Sequence, residues 1–400
     1  MPSATQQRTF EIPPELLGEM RGWRTRFLVI GAVALILCII GGVFNADRFY
    51  RSYIWCYMFY IGLALGCTAL LMLQYLTGGA WGVVIRRPCE AASRTLWFLL
   101  FLFIPIVIGI PHLYQWSHAE IVLHDPVLLH KRSYLNVPFF LIRAGLYFVG
   151  WILIAHLLYR WSGDQDRGDM RAAGRLAAIG GPGLIFFGFS VTFMAVDWIL
   201  SINPHWFSTI FGLLFIAGEA LSALAFLICL LVILSSRPPL ADVLTHRHLH
   251  DIGKLLLALV MVWAYFSYSQ LLVIWSGNLP EEIPWYLNRF AGGWQYIGIA
   301  LALLQFALPF ALLLSRDLKR DFKLLRAVAI IVIAMRFVDL YWMVAPDFHP
   351  GHFTVSWMDF LMPIGLGGIW LALFLWQLEL RPLLPLGDPH LEEALEHGRE

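Results

Sequence analysis

Ten apolar runs, each long enough to cross a bilayer as a helix, limit what this chain can fold into more than any other feature. They lie near residues 27–44, 54–76, 95–112, 139–160, 176–200, 207–234, 255–275, 293–314, 327–344 and 357–380. Each is close to the ~17–25 residues a helix needs to span the hydrocarbon. The expected architecture is an all-α integral membrane protein with ten transmembrane helices. Composition agrees: 59% of residues are hydrophobic, mean hydropathy is +0.70, and only 14% are charged, against about 25% in a soluble domain. Residues 1–26 are polar, with Pro2, Pro13 and Pro14, and read as an arm. Residues 27–380 form the transmembrane domain, and 381–400 a short acidic tail. The first run starts only after the arm and lacks a small-residue cleavage site, so no cleavable signal peptide is expected.

The basic residues are distributed unevenly. The arm, the segments after runs 2, 4, 6 and 8, and the tail carry 21 Lys and Arg. The opposite side carries 5: Arg48, Arg51, Lys131, Arg132 and Arg289. The positive-inside rule then places both termini in the cytoplasm. A net charge of +1 provides no basic field for nucleic acid. The five cysteines form neither C-x-x-C nor C-x-x-C-H, so iron–sulfur ligation, covalent haem and a disulfide framework are not expected in this chain. The longest outer segment, 112–138, has histidines at 112, 118, 124 and 130. That spacing suits neither a helix face nor a zinc pattern. An amphipathic segment on the membrane surface, anchored by Tyr114 and Trp116, accounts for it.

A faint repeat is present. Asp197 precedes Pro204 at the outer end of run 5, and Asp339 precedes Pro346 by the same interval at the outer end of run 9. Aromatic and histidine residues follow each proline. The two runs are four apart and point the same way. This predicts two four-helix bundles, helices 2–5 and 6–9, flanked by helices 1 and 10, with parallel pseudo-repeats over about 54–200 and 207–344.

Ionisable residues inside the spans are the candidates for chemistry, because charge there is expensive. Arg143 and Asp197 sit at similar depth and are expected to pair. Arg336 and Asp339, at i,i+3, can neutralise each other. With Asp359, which enters helix 10 from the same side, these four could line an outer aqueous funnel, or else serve as structural pairs and interfacial anchors. Glu219 lies near mid-membrane and shares a helical face with Ser208, Gly212, Phe215 and Ser222. Small residues there let another helix approach. Glu219 is expected either to exchange a proton or to stay protonated and donate one interhelical hydrogen bond. Toward the cytoplasm lie His156 and Lys254, with Gln270 more central. Side chains of these types pass protons along hydrogen bonds. His246, His248 and His250 are expected in an exposed loop. A bis-histidine haem is disfavoured, since His112 and His156 differ in depth by roughly 20–25 Å at ~1.5 Å per residue. An apolar quinone pocket is not excluded.

Three stretches carry a family resemblance: YLNVPFFLIRAGLY at 134–147, DWILSINPHWFSTIFG at 197–212 and FSYSQLLVIWSGNLPEEIPWY at 266–286. They resemble the large membrane subunits of bacterial alternative complex III, in particular the ten-helix member of that pair, a distant relative of the polysulfide-reductase (NrfD-like) membrane subunits. The resemblance covers nearly all spans but neither the arm nor the tail. It implies two four-helix bundles with extra flanking helices, and membership of a quinol-oxidising complex. The implied partners are a homologous quinol-binding membrane subunit, an iron–sulfur subunit, multihaem and monohaem cytochromes c, small membrane subunits and lipids. It also implies no metal or redox cofactor in this chain, with haem c and iron–sulfur clusters in the partners and menaquinol nearby. Arg143 and Asp197 fall on the matching motifs.

The functional expectation is therefore a non-redox membrane subunit that anchors such a complex and carries a proton path. Its groups would be Arg143, Asp197, Arg336, Asp339 and Asp359 outward, Glu219 and Gln270 centrally, and His156 and Lys254 inward. The alternatives are a subunit that itself binds and oxidises menaquinol, a pure scaffold, and a secondary transporter.

Overall fold

The structure, a computed structural model, describes residues 11–396. Among them are ten helices long and apolar enough to cross a membrane: α1 (Pro14–Phe44), α2 (Ala46–Thr77), α3 (Ala80–Ile108), α4 (Val137–Asp166), α5 (Ala172–Ile202), α6 (Phe211–Leu234), α7 (His246–Gly277), α8 (Trp294–Leu314), α9 (Phe322–Phe348) and α10 (Trp357–Leu378). No strand occurs among the described residues. The chain is an all-α, multi-pass membrane protein. Arg8 of the arm and Arg399 of the tail lie outside the described residues.

Similar apolar composition leads to very different positions. The most apolar window of α2 is 89% buried, and that of α1 only 17%. In lipid an exposed Leu or Ile costs nothing, so van der Waals fit rather than hydrophobicity decides which helix is central. Glycines set that fit at two crossings. A Cβ on Gly31 of α1 would meet the backbone of α10 at 2.7 Å, and one on Gly368 of α10 would meet Phe27 O of α1 at 2.5 Å. This contact seats α1 against α10 on the periphery. A Cβ on Gly66 of α2 would meet Glu219 O of α6 at 2.3 Å. The α2–α6 crossing therefore brings two backbones together in the middle of the molecule. Arg24 of α1 bonds Glu379 just beyond α10 at 2.8 Å, so the two helix ends share one face. We call it the terminal face, and the opposite side the distal face.

Four sequence expectations need correction. The segment after α2 is not an exposed basic loop. It is the first part of α3, and Arg86, Arg87 and Glu90 are buried in it. Arg87 and Glu90 bond each other at 2.7 Å, Ser162 Oγ donates to Glu90 at 2.5 Å, and Arg86 pairs with Asp388 of the tail. Charge density made this stretch look solvated, but mutual pairing lets it be buried. Second, Tyr114 and Trp116 are not surface anchors. Both are buried against Phe140, and Tyr114 donates to Trp198 O at 2.8 Å. Third, the 246–250 histidines open α7 as its first turn, where the His248 ring caps Thr245. Fourth, Arg289 is no surface cation. It is fully buried, donating to Trp285, Trp342 and Met343 carbonyls and to Asp347.

Candidate functional site

The charged groups expected to share one outer funnel are three separate clusters. The first joins α4 to α5. Asn136 caps α4 by accepting from Phe139 N at 2.9 Å, which starts the helix with Pro138 in its first turn. Arg143 then reaches across to Asp197 in the last turn of α5. The contact is bidentate: Nε to Oδ2 at 2.8 Å and Nη2 to Oδ1 at 2.9 Å. Tyr147, one turn beyond Arg143, donates to Asp197 Oδ2 at 2.8 Å. The guanidinium also donates to Tyr134 O and stacks 3.8 Å from the Tyr134 ring. Asp197 is fully buried and both its oxygens are engaged. This pair fits a staple.

The second cluster lies deeper and has a different character. Arg336 of α9 pairs with Asp339 one turn on, and Trp263 of α7 donates to the same Asp339 Oδ2 at 3.0 Å. Arg336 also lies across α6. Its Nε donates to Ser222 Oγ at 3.3 Å, and a Cβ on Gly218 would meet its Nη2 at 2.1 Å. Only glycine at 218 leaves room for this guanidinium. Beside Gly218 is Glu219, 3% exposed, with its Cγ 3.1 Å from where a Cβ on Gly62 would stand. Neither Glu219 carboxyl oxygen has a hydrogen-bond partner among the described residues. Arg336 is within electrostatic reach of it. Glu219 therefore has a charged neighbour that depth counting along the chain does not supply, and Arg336 and Asp339 are not outer groups. By helix rise Arg336 stands ~21 Å from the start of α9, near mid-membrane.

Next to Asp339 a cavity of about 780 Å³ opens between α7, α8 and α9. Trp263, Tyr268, Gln270, Tyr286 and Trp342 line it along with Asp339. Gln270 is buried, accepts from Ser208 at 2.8 Å and donates to Tyr286 OH at 3.2 Å. The facing stretch of α8, Leu301–Ala307, is a π-helix, a widened geometry frequent at functional sites. Within it Gln305 is fully buried, with neither side-chain polar atom partnered among the described residues.

The third cluster is at the distal face. Asp359 belongs to the capping box that starts α10, with its carboxylate accepting from Ser356 N. It also accepts from Ser52 at 2.6 Å and from Arg48 at 3.3 Å. Arg48 in turn donates to His349 Nε2 at 2.6 Å. Burial, then Arg48 and Arg51, hold the His349 ring below the ordinary histidine pKa of 6.5.

His156 and Lys254 belong to none of these. His156 is exposed on the outer side of α4, and Lys254 is an exposed cation bonded to Asp251 at 3.0 Å. Their depth along the helix is readable from sequence, but the direction they face is not. Tyr147, Trp263 and Arg48 were not among the site groups expected from the sequence, and Ser222 was read there only as a small residue on the Glu219 face. Tyr147 was findable, standing at i+4 from Arg143. Among the described residues no group of three or more His, Cys, Asp or Glu is arranged to hold a metal. No protein-family model matches the chain, and no curated protein matches it.

Proposed function

We propose that this chain is the non-redox membrane subunit of a quinol-oxidising electron-transfer complex in a bacterial cytoplasmic membrane, both termini cytoplasmic, and that Glu219 exchanges a proton on a transmembrane path. The observation that carries the reading is the buried Glu219 carboxyl, which has no hydrogen-bond partner among the described residues, set beside the Arg336–Asp339 pair. An unpaired buried carboxylate is costly, so Glu219 is neutral while Asp339 holds Arg336. Moving one proton from Glu219 to Asp339 frees Arg336 to pair with Glu219 instead. Both arrangements have the same net charge, and the shared arginine keeps them close in energy. A ligand or partner that contacts Asp339 differently in the two states biases the exchange. Redox chemistry itself is assigned to partners: a homologous quinol-binding membrane subunit, an iron–sulfur subunit and multihaem and monohaem cytochromes. The resemblance of 134–147, 197–212 and 266–286 to membrane subunits of alternative complex III supports this assembly.

The test is Glu219→Gln in the intact complex, with proton translocation and quinol turnover measured together. Turnover should persist while the proton-to-electron ratio falls. An unchanged ratio makes Glu219 structural. Co-purification of haem-containing subunits with the tagged chain tests the assembly, and recovery of the chain alone overturns it.

A second reading has its own support. The cavity of about 780 Å³ is large enough for a quinol ring, is mostly aromatic and apolar, and has Asp339 and Gln270 on its wall. On this reading the chain itself binds menaquinol, and Asp339 accepts a proton from it. Photolabelling with an azido-quinone distinguishes the two. Labelling of Tyr268 or Trp342 that excess menaquinol suppresses favours quinol binding here.

A further inference from the structure

We propose that a phospholipid with an anionic phosphodiester headgroup occupies the groove between residues 93–97 of α3 and the outward side of α4, from the leaflet on the terminal face. The groove, about 520 Å³, is lined by Ser93, Arg94, Trp97, Val149, Leu153 and His156. Its polar end is cationic. Arg94 lies 4.5 Å from the Tyr159 ring and donates through Nε to Gln377, a neutral acceptor, at 3.3 Å. It makes no ion pair with a carboxylate among the described residues. His156 is exposed and has no hydrogen-bond partner among the described residues, and Arg160, one turn further along α4, is likewise exposed and unpaired. Four other buried or half-buried arginines of the terminal face have carboxylates: Arg24 has Glu379, Arg86 has Asp388, Arg87 has Glu90, and Arg381 has Glu90. Arg94, which borders the groove, has none among the described residues, and Arg160 stands one turn beyond His156 on the same side of α4.

The position selects a lipid rather than a soluble anion. Gln377 is at the very end of α10, so Arg94 sits at headgroup level. Val149, Leu153, His156 and Arg160 recur at helical spacing along one side of α4. Val149 is 66% exposed and Leu153 53%, so below the cations the surface faces lipid tails. The Val149-to-Arg160 stripe is roughly 16 Å long by helix rise, enough for a good part of an acyl chain. Trp97 supplies the opposite wall, an amphipathic ring at interfacial depth. The fork of Arg94 suits a phosphodiester through two parallel donors, with His156 adding a third. Basic pockets between membrane helices recognise anionic headgroups in this way.

The experiment uses the full chain in nanodiscs of equal phosphatidylglycerol and phosphatidylcholine, with retained lipid counted by native mass spectrometry. Wild type should retain one phosphatidylglycerol in preference to phosphatidylcholine. Arg94→Gln with Arg160→Gln should lower that occupancy about tenfold. Leu153→Trp, which fills the apolar wall and leaves every charge in place, should also displace the lipid. Helical circular dichroism and thermal melting establish that both variants fold. Equal retention of the two lipids, unchanged occupancy in the double glutamine variant, or displacement of the lipid by inorganic phosphate overturns the proposal.

Discussion

Asp197 and Asp339 occupy matching positions in sequence, each seven residues before a proline at the distal end of a helix, yet they are partnered in opposite ways. Asp197 takes its arginine from a neighbouring helix, in two parallel bonds, with a tyrosine on one of the same oxygens. Asp339 takes its arginine from its own helix, and both of its bonds fall on one oxygen, Oδ2. Arg336 is then left with a second acid, Glu219, on the adjoining helix. A pair that ties two helices and satisfies every group has one arrangement. A pair built within one helix, beside an unsatisfied acid, has two. The difference marks the first site as fixed structure and the second as the place where charge can be redistributed.

The largest expected effect tests that contrast directly. Asp197→Asn leaves Arg143 buried without its counter-ion and should cost about 3–5 kcal/mol in thermal or chemical unfolding of the detergent-solubilised protein. Asp339→Asn should cost no more than about half of that, because Glu219 can ionise and take over Arg336. The shared partner makes the loss non-additive: Asp339→Asn in a Glu219→Gln background should cost as much as Asp197→Asn. Equal costs for Asp197→Asn and Asp339→Asn in the wild-type background would break the comparison.

The next effects concern the space around Glu219. Gly66→Leu should destabilise by about 1–3 kcal/mol through overpacking, because a Cβ there meets Glu219 O at 2.3 Å. Glu219→Met should move stability the other way or leave it unchanged, removing an unpaired polar group worth about 1–3 kcal/mol of desolvation. If Glu219→Met melts well below wild type, the carboxyl has a bonding role that the present geometry lacks, and the two-state reading of Arg336 fails.

Much of the architecture was legible in the amino-acid order. All ten spans follow from run length, and the Arg143–Asp197 pair follows from two opposite charges at matching depth on consecutive helices. What was not legible depends on azimuth and on which helices cross. Glu219 and Arg336 are far apart in the chain, and only the packing of α6 against α9, with glycine at 218, brings them together. His156 was expected on an inward proton path, but one-dimensional counting does not say that its ring is exposed on the surface of α4. Arg86, Arg87 and Glu90 looked like a loop because propensity arguments treat charge as solvated. Arg87 and Glu90 are buried on each other, and the burial of Arg86 depends on Asp388, some three hundred residues away.

The smallest expected effect lies at the distal rim, where the Arg48, His349 and Asp359 cluster provides a reference for both membrane sites. Arg48 donates to His349 Nε2, so the ring must accept there and is neutral in the folded state. Its pKa is held below 6.5 by burial and by Arg48 and Arg51. In the unfolded chain the ring protonates at its ordinary value, so as pH falls below 6.5 the unfolded state binds the proton first. The stabilisation is complete above 6.5 and is lost as pH falls toward the lower folded value. The melting temperature should drop by no more than about 2 °C from this group. His349→Gln keeps an acceptor for Arg48 that does not titrate, and should abolish this component of the pH dependence. If it persists in the glutamine variant, it arises elsewhere, with the Asp125–His205 pair on the same face as the next group to replace.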